Sequence, residues 1–251
     1  MALNNANDSF YHEIYSMVKK HPATNNDFID RFSRGEITYE EFENFSIEFY
    51  HFTREWVSIL SVLLVNTPNE NDAESLTRIL VSELGDIDPA KRHELLYRKY
   101  LRSIGMSPEE LIFREQLPST KQWLDKMREY FASDHFTALG AEYGLENMAI
   151  PMWEKLLPGL EKAKHKFPKL RSMDIEYFTF HRELEEHHEE EMANVLGEHI
   201  NDEVAKEKFT KGASGMLDYE KEFWDGPCGE SVTFLRLLLF TVVAHVILES
   251  S

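Results

Sequence analysis

Apolar residues return every third or fourth position along almost the whole of this chain, and that period commits it to helices packed on helices. The clearest stretch runs through Phe42, Phe45, Phe49, Phe52, Trp56 and Leu60 to about Val65, so one broad face is apolar. Thr38-Tyr-Glu-Glu41 opens it as a capping box, in which the Thr hydroxyl and the Glu carboxylate each take one orphan backbone N–H. No alternating run long enough for a half-buried strand occurs. The same reading predicts helices over 10–20, 27–33, 72–83, 90–104, 119–132, 135–156, 173–196 and 202–224. Gly35 is a natural C-cap and Ser107-Pro-Glu-Glu110 a further start. The connections are short, as in a bundle. The expected class is all-α.

Charge and cysteine content narrow the partners. Lys and Arg number 27 against 45 Asp and Glu, a formal charge of -18. Binding to a phosphate backbone or an anionic membrane surface needs a basic face, so neither is expected. The sole cysteine, Cys228, allows no internal disulfide and no thiolate-based zinc or iron–sulfur site. A reducing, cytoplasmic location fits best. The opening residues, MALNNANDSFYHEIY, lack the basic-then-apolar order of a secretory signal. We expect one helical domain over 1–226 and an atypical apolar tail over 227–251. Gly226-Pro-Cys-Gly-Glu230 breaks the pattern, and Leu237-Leu-Leu-Phe-Thr-Val-Val-Ala244 is short for a membrane span. The tail reads as a docked helix, a marginal anchor or sequence foreign to the domain.

Three segments carry candidate metal ligands. His181, Glu185 and His188 fall at i, i+4 and i+7, within roughly 60° of one another around a helix. Two imidazoles and a carboxylate on one face suit iron or manganese. A solvated Glu/His face has the same spacing, but Phe178, Phe180, Leu184, Met192 and Val195 flank the set, and ionisable groups on a partly buried helix need a partner or a metal. The adjacent His187 points away and reads as a surface residue. Glu83 and His93 form a second candidate pair. On an unbroken helix they would stand roughly 80° apart, and Gly85 and Pro89 interrupt that helix. Glu142 and Glu146 share a face four residues apart, among Gly140, Ala141, Gly144 and Ala149, small residues that signal close helix packing. A carboxylate buried there needs a cation.

Taken in order, these segments resemble the haem-oxygenase-like di-metal oxidases and oxygenases, the iron-containing redox enzymes, over about residues 10–224. The likeness is carried by Glu83 with Gly85, His93 and the later Gly105; by Gly-Ala-Glu-Tyr-Gly-Leu-Glu146 followed by Pro151; and by His181-x3-Glu185-x2-His188. His21-Pro22 with Gly35-Glu-Ile-Thr38 is similar to the family's opening. The resemblance implies a haem-oxygenase-like helical bundle with Glu83 and His93 as ligands from one core helix, Glu146 from the next, and His181, Glu185 and His188 from the last. Relatives often carry Asp where Glu185 stands. Glu142 is a possible extra ligand.

What the resemblance implies about function is two Fe(II) ions per chain, or iron with manganese, reacting with dioxygen to oxidise a small organic molecule. Relatives act on fatty acids, amino acids, guanidine-bearing amino acids or a tyrosine-derived ring. The sequence singles out none of these, and a homodimer is compatible with it. Phe49, Phe52, Trp56, Tyr143 and Phe180 are candidates for the cavity wall or, each taken singly, for plain core, and helix position alone suggests Tyr50 and His51 as further substrate contacts. The competing reading is a non-catalytic helical metal-binding or protein-interaction module. On the same fold, a cysteine hydrolase is disfavoured by the position of Cys228, and a haem site would need His12 or His21 as proximal ligand.

Overall fold

The computed structural model describes residues 5–182, 200 and 202–229, and among these every regular element is helical. Helices α1 (Asn5–Lys20), α2 (Asp27–Arg34), α3 (Tyr39–Val65), α4 (Glu70–Glu83) and α5 (His93–Ser103) come first. They are followed by the short α6 (Pro108–Leu111), α7 (Pro118–Phe131), α8 (His135–Lys166), a helical segment α9 over 176–182, and α10 (Glu203–Gly229). Single 3-10 turns, Pro89–Lys91 and Pro168–Leu170, precede α5 and follow α8. Glu185, His187 and His188 lie outside the described residues, as does the tail beyond Gly229.

Local chemistry sets the helix ends. The Thr38 capping box forms as expected: the Glu41 N–H donates to Thr38 Oγ1 at 3.1 Å, and the Thr38 N–H donates to Glu41 Oε2 at 2.7 Å. Arg31 then reaches Glu41 at 2.6 Å and ties α2 to the start of α3. Gly35 ends α2 in the left-handed region at φ 75°, with its N–H turned back to the Arg31 and Phe32 carbonyls.

Two helices run further than the sequence predicts. α8 continues through Pro151 and Pro158 to Lys166, although each proline removes an intrahelical hydrogen bond, at a cost of roughly 3 kcal/mol. Burial of Met152, Trp153, Leu156, Leu160 and Ala163 offsets that cost. Gly159 lets the helix approach α2 so closely that a Cβ there would sit 2.7 Å from the Phe32 carbonyl oxygen. α10 likewise extends through Pro227 to Gly229, past the break expected at Gly226.

α8 packs along α10 and also against α2 and α7, while α3 contacts α4, α5 and α7. The small residues of α8 do what their pattern foretold. A Cβ on Gly140 would lie 2.0 Å from the Phe209 carbonyl oxygen of α10, and one on Gly144 would lie 3.1 Å from that of Ala213. The core is strongly aromatic. Phe49 sits at its centre, 5.4 Å from Phe52, 5.8 Å from Tyr97, 6.0 Å from Trp153 and 6.2 Å from Trp224, ring centre to ring centre. No helix among the described residues is long and apolar enough to cross a membrane.

Candidate metal centre

Glu83 is the last residue of α4 and His93 the first of α5. The resemblance implies one core helix for the two, but they stand on two helices joined by a tight reversal, as the interruption at Gly85 and Pro89 in the sequence foretells. Gly85 adopts φ 89° and Asp86 φ 50°, and a Cβ on Gly85 would lie 2.4 Å from the Asp88 carbonyl oxygen. Only glycine fits that backbone. Asp88 caps the 3-10 turn by accepting the Ala90 N–H at 3.0 Å. The chain thereby doubles back, and His93 Nδ1 meets Glu83 Oε2 in the protein interior.

His181 reaches the same point from α9. Glu176, at the start of that segment, pairs with Lys91 at 2.5 Å and with Lys99 at 2.6 Å. The Asp174 N–H donates to Ser103 Oγ at 2.8 Å. These contacts dock α9 on the turn and on α5, and the rings of His181 and His93 come within 4.3 Å of each other. His181 Nδ1 lies 2.7 Å from the Tyr177 carbonyl oxygen. A carbonyl only accepts, so Nδ1 carries the proton and Nε2 is the lone-pair nitrogen.

Glu83, His93 and His181 are all buried, and their ligand atoms lie within 4.8 Å of one another. Glu146, from the middle of α8, lines the same cavity; Glu142 is fully buried one turn earlier and does not line it. Of the seven candidate ligands, then, three converge, Glu146 shares their cavity, Glu142 is buried one turn from Glu146 outside the described lining, and Glu185 and His188 fall outside the described residues. The donor set fits a first-row divalent ion: oxygen and imidazole donors, one imidazole oriented by a backbone carbonyl, and little water to stabilise the carboxylates otherwise.

The rest of the cavity is aromatic. Phe49, Phe52 and Trp56 line it as expected, joined by Trp123, Trp153 and Tyr177. The other candidates lie outside the described lining. Tyr143 packs against Phe209 at 5.4 Å, and Tyr50, fully buried, donates to Glu94 at 3.1 Å. His51 is buried outside the cavity lining. Phe180 packs edge-on against the His93 ring at 5.5 Å and faces a surface groove. His21, a nominee for haem, is engaged in its own turn: Nδ1 accepts the Ala23 N–H at 3.2 Å and Nε2 lies 3.3 Å from Asp218.

One cavity residue escaped the sequence reading. Glu220 on α10 is 4% exposed and lines the cavity between the aromatic walls. Burial pushes its carboxyl up to about 8, opposed by the neighbouring Trp224 indole. The signal was present: Met216, Glu220 and Trp224 recur at four-residue spacing, which puts an acid on the apolar stripe of an amphipathic helix.

Comparisons with known proteins agree with this geometry. The chain is 20% identical over 216 residues to the 4-aminobenzoate synthase of Chlamydia trachomatis, covering 84% of this chain and 91% of the relative. It is 20% identical over 185 residues to that of Nitrosomonas europaea, covering 70% and 74%. Among solved structures it is similar to a Cadd-like protein of unknown function from Nostoc punctiforme, with TM-score 0.73, 14% identity and coverage of 89% and 97%. A heme oxygenase-like domain of unknown function from Shewanella denitrificans gives TM-score 0.68, 18% identity and coverage of 93% and 94%. A TenA homolog from Pseudomonas syringae gives 0.72, 10%, and 89% and 92%. The fold is therefore haem-oxygenase-like. The family model of the iron-containing redox enzymes matches residues 43–221, more than half of the sequence and the whole stretch from Glu83 to Glu220, and the chain belongs to that family.

Proposed function

We propose that the protein is a non-haem di-iron oxidase or oxygenase, with iron and manganese as the alternative pair, that uses dioxygen to oxidise a small organic substrate such as an amino acid or fatty acid. The reading rests on the buried convergence of Glu83, His93 and His181 from three separate helical elements. Glu146 faces the same space, and Glu185 and His188 complete the set by their spacing from His181. Three carboxylates offset most of the charge of two divalent ions, and three imidazoles supply neutral donors.

Iron, when bound, supplies the electrons that reduce dioxygen. The chain does the rest. The Tyr177 carbonyl fixes the His181 tautomer and ring. Phe49, Phe52, Trp56, Trp123 and Trp153 exclude bulk water from the reacting space, which strengthens every electrostatic contact inside it. Relatives named 4-aminobenzoate synthase support chemistry on a small molecule.

The test is anaerobic loading with Fe(II) followed by oxygen. Oxygen uptake and a new absorbance band should exceed those of free Fe(II), and a substrate among candidate amines and amino acids should speed the decay of that band. Uptake no faster than with free Fe(II) would overturn the proposal.

A further inference from the structure

The charge of the cavity lining selects among substrates. Its described lining residues include three carboxyls, Glu83, Glu146 and Glu220, and two imidazoles, His93 and His181, but no lysine or arginine. The protein side of the lining thus offers a substrate cation carboxyl partners, whereas a substrate anion finds a partner only in the proposed metal. Glu83 stands in the convergent cluster, and Glu146 is the proposed ligand beside it. Glu220 belongs to neither. It comes from α10, and its Oε2 is buried without a hydrogen-bond partner among the described residues. Trp123 and Phe223 stack at 4.4 Å beside it, with Trp224 against Phe223 at 5.0 Å. A buried carboxyl oxygen without a partner in an apolar wall is costly, and such a group is retained where something else completes it.

We propose that Glu220 binds the protonated primary amine of a small substrate. The proposal deepens the oxidase reading and depends on it only for the chemistry after binding. Space sets the size of the head group. The centres of water-sized molecules fit over about 60 Å³, room for a few water-sized groups. An ammonium and its adjoining methylene carbons fit that space. The substrate thus enters amine first, its alkyl stem against Phe52 and Trp123, whose rings lie 4.9 Å apart. Glu220 is a recognition residue in this scheme and not a metal ligand.

The test is calorimetric titration of n-butylamine, n-butanol and butyrate into the full chain, both loaded anaerobically with Fe(II) and metal-free. Metal-free wild-type protein should bind butylamine at least about tenfold more tightly than either analogue. E220Q should lose about tenfold in butylamine affinity, with iron content, melting temperature and butanol binding unchanged. E220D, which keeps the acid, should recover part of the loss and serves as the second variant should E220Q fold poorly. Butyrate binding to the metal-free protein as tightly as butylamine, unchanged butylamine affinity in E220Q, or loss of iron in E220Q would each overturn the proposal. If wild-type protein takes up no iron while butylamine binding still depends on Glu220, the oxidase reading falls and this one stands.

Discussion

His93 Nδ1 touches Glu83 Oε2 across the turn that separates α4 from α5. The contact joins the last residue of one helix to the first of the next, and the intervening residues serve to bring it about. Both groups are buried, so the contact holds two ligand-type side chains next to each other in the interior. An ion entering the site must replace that contact with two stronger ones, and the fold of the turn and the affinity for metal are therefore linked.

Gly85 is where that linkage is most exposed to substitution. Alanine would place a methyl 2.4 Å from the Asp88 carbonyl oxygen and 2.8 Å from the Arg92 nitrogen, on a backbone at φ 89°. G85A should lose roughly 1–3 kcal/mol of stability. It should also bind iron more weakly, because the displaced backbone carries His93. Thermal unfolding and iron content measure both; wild-type iron content in a destabilised G85A would separate the turn from the site.

The same coupling predicts a footprint in amide exchange. Binding of Fe(II) should slow exchange in residues 84–92 more than in α2 or α7, since ligand free energy becomes ordering free energy. Equal protection with and without metal would show a turn already rigid.

Close approach of α8 and α10 supports the placement of Glu146 and Glu220. A Cβ on Gly212 would lie 2.1 Å from the Thr137 carbonyl oxygen. G212A should cost roughly 1–3 kcal/mol through overpacking. A drop in melting temperature without a change in the denaturant slope is the expected result.

His51 offers a pH dependence remote from the metal residues. Burial pushes its imidazole down to about 4, with Arg54 acting in the same direction and Glu55 against it. Neither ring nitrogen has a hydrogen-bond partner among the described residues. The native state holds it neutral while the unfolded chain takes up a proton near 6.5, so stability falls as pH drops through the window from 6.5 to about 4. H51L, free of that linkage, should melt above wild type by a margin that grows from pH 7.5 to pH 5. Melting curves that stay parallel would assign the acid sensitivity elsewhere.

Much of the fold was legible in the residues. The period of Phe42 to Leu60, the Thr38 box and the small residues of α8 are local signals, and local signals survive into the fold. Convergence of Glu83, His93 and His181 was legible only through resemblance to a family, because the reversal at Gly85 decides it and helix geometry alone leaves it open. The sequence reading ends this helix at 156, before Pro158, yet tertiary burial of Leu160 and Ala163 carries α8 past it to Lys166. Glu220 stands apart from every cluster of ligand-type residues, and its mark is instead a lone acid at an apolar position between Met216 and Trp224.

The most direct test of the account is the iron bound per chain after anaerobic loading and removal of free metal, in wild type and in H93A and H181A. Two irons in wild type, and in each variant a loss of at least one with affinity reduced about tenfold or more, is the predicted result. No iron in wild type, or a full complement in both variants, contradicts it.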